Sequence, residues 1–199
     1  MINEDKVRSL CKLKSLNDIP GLPFKSFDEL KASIYEGTYA IDLSYPAARE
    51  LSTAIRTPLG TFNNLILLLA PWITMLCVVG AAIWLGNYLG LLGLPIALIS
   101  NFIGNPMAPG KGFFGMIAWL AFLFLFLALW QGWYTTTWLL ASGVVPFFSN
   151  REMYRENINA LNKAVLDSEA LFLYLYEKYP VRLRNTKTGE EYWNIGDHA

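Results

Sequence analysis

The chain has 199 residues, 54% of them hydrophobic and 15% aromatic, and its 16 basic and 16 acidic side chains cancel to a formal net charge of zero. Without an excess of positive charge, nothing in the bulk composition directs it to nucleic acid or to an anionic surface. Its two cysteines, Cys11 in a polar region and Cys77 in an apolar one, offer no disulfide framework, which fits soluble parts held in a reducing compartment.

Residues 1–57 are polar with a helical period. Asn3 is placed to cap a helix carrying Val7, Leu10, Leu13 and Leu16 and closed by Pro20 and Gly21. Ser26 with Glu29 three residues later fits a capping box, in which each side chain satisfies the other's free amide. The helix it opens carries Leu30 and Ile34 and stops at Gly37. Pro46 suits the first turn of a third helix, through Arg49 and Ile55, that ends before Pro58. This head is expected to be a cytoplasmic helical domain, lying against a membrane face or serving as a docking module.

From residue 57 to residue 150 the only charged side chain is Lys111, and His, Asp and Glu are absent. A soluble domain must present charge to water, whereas a bilayer penalises each charge at its centre by about 2.5–3.5 kcal/mol on the insertion scale. The stretch therefore predicts an integral membrane protein. Residues 65–85 and 113–130 both meet the length of a helical span, roughly 20 apolar residues with about 17 as a practical minimum. Each is followed by a weaker segment. Residues 88–104 are interrupted by Gly90, Gly93 and Pro95, and residues 134–148 are softened by Thr135, Thr136, Thr137 and Ser142. Gly86-Asn87 and Gln131-Gly132 suit tight turns, and residues 105–112 read as a loop.

The expected fold is all-α, with a transmembrane domain over 58–148 built of two helical hairpins, four short spans in total. The alternative is two full spans plus re-entrant pieces. With four crossings, Arg49, Arg56, Lys111, Arg151 and Arg155 all fall on one side, which the positive-inside rule makes cytoplasmic. Both topologies put both termini in the cytoplasm. Trp84 and Tyr88 flank one expected turn, and Trp130, Trp133 and Tyr134 flank the other. Pro71 is expected to kink the first span. Ala82, Gly86 and Gly90 recur at the small-xxx-small spacing of helix packing; if the chain turns at Gly86, the glycines serve the turn instead.

Residues 149–199 form the third expected domain, cytoplasmic like the head. Ser149 and Glu152 fit a second capping box, opening a helix with Tyr154, Ile158, Leu161 and Val165 near one face and ending at Pro180. Its far half is apolar on several sides. Leu171, Phe172, Leu173, Leu175 and Tyr176, with Trp193, are therefore expected to form an assembly interface. Alternation over 181–193 around Gly189 predicts a C-terminal β-hairpin, which needs a surface to dock on.

The sequence supplies no catalytic, cofactor-binding or metal-binding constellation. The single histidine, His198, stands far from any span, and no Cys/His cluster or phosphate-loop fingerprint occurs. An enzyme is not expected, nor is a cofactor. The reading that follows is a non-enzymatic, membrane-embedded structural or scaffold subunit in a homo- or hetero-oligomeric complex. Its partners would be the lipid bilayer and copies of itself or other membrane-complex proteins, with no nucleic acid. One alternative is a homo-oligomeric channel lined by neutral polar groups such as Asn101, Thr135, Thr136 and Ser142. The other is a membrane-shaping hairpin protein.

Overall fold

A computed structural model, which describes residues 4–55, 57–104 and 111–194, shows a mostly helical chain with one small antiparallel sheet. The helices are α1 (Glu4–Leu10), α2 (Phe27–Tyr35), α3 (Tyr45–Ile55), α4 (Pro58–Trp84), α5 (Gly93–Ile103), α6 (Lys111–Trp130), α7 (Tyr134–Asp167) and α8 (Glu169–Lys178). The strands are β1 (Tyr39–Leu43), β2 (Val181–Asn185) and β3 (Glu191–Asn194). Packing divides the chain into two compact units, Met1–Pro58 with Asn157–Ala199, and Leu59–Glu156. Asn3, Arg56, His198 and residues 105–110, expected from sequence to be part of a loop, lie outside the described residues.

The first unit joins the two ends of the chain around one core. Leu16, Leu30, Leu161, Val165, Leu171, Phe172, Leu173 and Leu175 are buried together, with Val181 and Leu183 from the sheet. Polar links hold the same pairing. The Glu169 carboxylate accepts the Leu16 amide at 3.2 Å and faces Arg8 at 3.8 Å, and Glu177 accepts the amide of Leu13. Tyr179 donates its hydroxyl to Glu50 at 2.6 Å, and burial together with that carboxylate pushes the phenol well above its ordinary range.

The expected hairpin of β2 and β3 forms, with Gly189 at φ 76° in its loop, where a residue without Cβ is unstrained. The surface it docks on is a strand that the pattern did not announce. β1 pairs antiparallel with β2, placing Ile41 opposite Leu183, and β2 places Leu183 opposite Tyr192 on its other side. The sheet order is β1-β2-β3, so two segments distant in sequence share one sheet.

Several helix boundaries differ from the sequence pattern for local reasons. The first helix stops at Leu10, and Leu16 begins a separate 3-10 turn, Leu16–Asp18. There Asp18 accepts the amides of Lys14 and Ser15 at 2.8 and 3.0 Å, which hold its carboxyl below the usual carboxylate range. At α2, Ser26 caps the amide of Glu29 at 3.3 Å as expected, but Glu29 accepts the amide of Lys25 instead of that of Ser26. No helix starts at Ser149. α7 continues through it, because a capping residue opens a helix only where the preceding backbone is extended, and Pro146 inside a helix removes one bond without ending it. The continuation breaks instead at Ser168, whose hydroxyl accepts the Leu171 amide at 3.3 Å and starts α8.

Candidate functional site in the apolar unit

Residues 59–156 form a unit of unusual surface. α4 and α6 contain apolar stretches, Gly60–Trp84 and Gly112–Trp130, each of mean hydropathy 2.4 and long enough to cross a membrane. Only 28% and 17% of their most apolar windows are buried. A core helix of a soluble protein hides such a surface, whereas here Leu76, Ile83, Leu123 and Phe124 are 74, 67, 62 and 59% exposed. Tyr88–Ile103, comprising a 3-10 turn and α5, is a shorter apolar helical segment.

Two turns of the same construction join these helices in pairs. After α4, the Gly86 amide donates to Ile83 and the Asn87 amide to Ala82, with Gly86 at φ 60°. After α6, the Gly132 amide donates to Leu129 and the Trp133 amide to Ala128, with Gly132 at φ 69°. This is the Schellman arrangement, which needs a left-handed residue at the position glycine fills. The two turns meet, because the Asn87 side-chain amide donates to the Thr135 hydroxyl at 3.0 Å. Around them Trp84, Tyr88, Trp130, Trp133 and Tyr134 are exposed.

The residues marked from sequence for packing take separate places. Gly86 forms the turn. Ala82 is buried and Gly90 lies against it, since a Cβ on Gly90 would stand 3.4 Å from that of Ala82. The tightest approaches fall elsewhere. A Cβ on Gly93 would lie 2.9 Å from Val78 Cγ1 and 3.0 Å from Ser142 Oγ, and one on Gly104 would lie 2.8 Å from the Phe147 carbonyl oxygen. Both glycines bring α5 and its end against α7. The signal for Gly93 was present in the sequence as a glycine inside an apolar segment, but its partner Ser142 lies 49 residues away in sequence.

Of the neutral polar residues considered as a pore lining, Ser142 and Thr135 hydrogen-bond through their side chains within the chain, and Asn101 through its backbone. Ser142 is fully buried and donates to the Leu139 carbonyl at 2.7 Å. Asn101 accepts at its backbone carbonyl from the Asn150 side chain at 2.6 Å, and Thr135 accepts from Asn87. Thr136 is exposed. Asn63 donates to Glu156.

The residues marked for assembly belong to the other unit. Leu171, Phe172, Leu173 and Leu175 are each 1% exposed within the single chain, and Tyr176 stacks on Phe172 with 6.0 Å between ring centroids. Their apolar surface is met by the head segments. Trp193 is 55% exposed, with the Arg182 guanidinium 4.8 Å above its ring and its indole N–H donating to Glu191 at 2.9 Å. Among the described residues, no group of three or more His, Cys, Asp or Glu side chains is placed to hold a metal ion. No protein-family model, curated protein or solved structure matches the chain.

Proposed function

We propose that the chain is a non-enzymatic structural subunit of a membrane complex, with residues 58–148 embedded as two hairpins. The observation that carries the reading is the outward apolar surface of α4 and α6, which water would oppose at roughly 25 cal/mol for every Å² left exposed. The ends of the unit support the same orientation. α6 spans about 30 Å at 1.5 Å per residue, close to the hydrocarbon thickness of a bilayer. Its last residue, Trp130, lies in the aromatic ring around the two turns, a composition favoured at the membrane–water boundary. At the opposite end of the hairpins stand Arg151 and Arg155. In this topology the turns face away from the cytoplasm, and both chain ends are cytoplasmic.

The weaker segments fit as short crossings. Tyr88–Ile103 and the apolar first part of α7 are held by Gly93, Gly104, Asn101 and Ser142 inside the bundle, so helices too short to span alone are supported by longer neighbours. The faces of α4 and α6 that remain outward contact lipid and the other members of the complex. In-membrane crosslinking at Ile83 and Phe124, read by the mass of the detergent-solubilised particle, tests this directly. Discrete oligomers or a defined heteromeric adduct are expected; a particle with the mass of one chain at both positions would contradict the subunit role.

A further inference from the structure

We infer that the charged end of the α6–α7 pair is a binding site for one anionic phospholipid. The inference rests on the membrane reading above and names a ligand for that surface. A groove of about 450 Å³ lies wholly within residues 59–156, between the first turns of α6 and the middle of α7. That volume is within the range of sites that hold small molecules, roughly 300–1,000 Å³. Its lining is divided by chemistry. Arg151, Glu152 and Arg155 supply one wall, while Met116, Trp119 and Phe148 supply the other.

The polar wall has a net positive charge and one unmatched cation. Glu152 accepts from Arg155 at 2.7 Å, one helical turn away, which neutralises that pair. Arg151 has no carboxylate partner among the described residues. Its guanidinium reaches over Gly115, where a Cβ would stand 3.1 Å from Nη1, so the glycine leaves room for the arginine to lie across α6. A guanidinium fork matches two oxygens of a phosphate better than it matches a point acceptor.

The apolar wall selects a lipid over a free anion. Trp119 meets Phe148 edge-on at 5.2 Å, and Met116 and Trp119 are 55% and 58% exposed. They continue along α6 into Leu120 and Leu123, also exposed, so an acyl chain leaving a phosphate at Arg151 would run down a continuous apolar track. Inorganic phosphate gains nothing from that track.

The test uses the full chain purified in mild detergent, with lipids retained by the particle counted by native mass spectrometry. Phosphatidylglycerol and phosphatidylcholine are offered together, with and without excess inorganic phosphate. One retained phosphatidylglycerol is expected, preferred over phosphatidylcholine and undisturbed by phosphate. Arg151→Gln should lower that preference about fivefold, the weight of one arginine at an anionic surface. Arg151→Lys, which keeps the charge and loses the fork, should fall between the two and controls for folding. Equal retention of both lipids, or an unchanged preference in Arg151→Gln, would overturn the site. Displacement by phosphate would overturn the lipid assignment in favour of a plain anion site. A particle that retains no lipid of any kind and stays in solution without detergent would instead strike at the membrane reading itself.

Discussion

Asn87 and Thr135, 48 residues apart in sequence, join the two glycine turns through a single hydrogen bond of 3.0 Å from the Asn87 amide to the Thr135 hydroxyl. Each residue follows a turn of the same construction, so the bond fixes the two hairpins tip to tip. An interhelical bond of this kind contributes on average about 0.6 kcal/mol in a membrane protein, and at most about 1.7. Asn87→Ala and Thr135→Val should each destabilise the folded unit by an amount in that range, and the double variant should cost less than the sum. A double-mutant cycle on unfolding in bicelles measures it; strict additivity would show that the bond carries no coupling.

Gly104, at the end of α5, and Gly80, within α4, differ sharply in what they tolerate. Gly104→Ala would put a Cβ 2.8 Å from a backbone oxygen that cannot move independently, and a cost of about 1–3 kcal/mol is expected, in line with overpacked cores. Gly80→Ala meets nothing within 4 Å and should be neutral or mildly stabilising. Thermal unfolding of the two purified variants separates the cases.

Much of this was legible in the sequence. The apolar unit shows in the absence of charge between Arg56 and Arg151 apart from Lys111, and the two turns show in Gly86-Asn87 and Gln131-Gly132, because glycine is the residue a left-handed helix end requires. The C-terminal hairpin shows in its alternation. β1 did not show, since Tyr39, Ile41 and Leu43 alternate over only five residues and acquire their meaning from β2, about 140 residues later. Burial of Leu171 and Leu173 by the head was visible only as an excess of apolar surface. The pattern could not say whether the same chain or another covers it. The Ser149 capping box failed for a physical reason: the motif describes a helix start, and the backbone before it was already helical.

Because those leucines lie in the core of the first unit, substitution there acts on folding before it acts on assembly. Leu173→Ala should cost about 2–5 kcal/mol, the range for buried leucine. Its signature is early proteolysis within residues 1–55 and 157–194 while residues 59–156 remain protected, read by limited digestion and mass spectrometry.

Asp18 gives the first unit an acid limit. Its carboxyl is held below the ordinary aspartate range, chiefly by the backbone amides of Lys14 and Ser15. A group whose pKa is lowered by folding stabilises the fold above its unfolded pKa, and that contribution is lost as pH falls through the folded value. Asp18→Asn should therefore be less stable than the parent at neutral pH, with the gap closing below about pH 4. A pH series of melting temperatures checks the sign; a gap that widens on acidification would contradict it.

Side-specific labelling tests the two-hairpin topology most directly. With Cys11 and Cys77 replaced by serine, single cysteines are placed at Ser9 in α1 of the head and at Gln131 beside the second turn, both outside the apolar stretches of α4 and α6. Intact cells and inverted vesicles are then treated with a membrane-impermeant maleimide. Four crossings predict that Gln131→Cys reacts only from the face opposite to the chain ends, and that Ser9→Cys reacts only from the cytoplasmic face. Reaction of both from the same face, or a Gln131→Cys shielded from both, would contradict the topology.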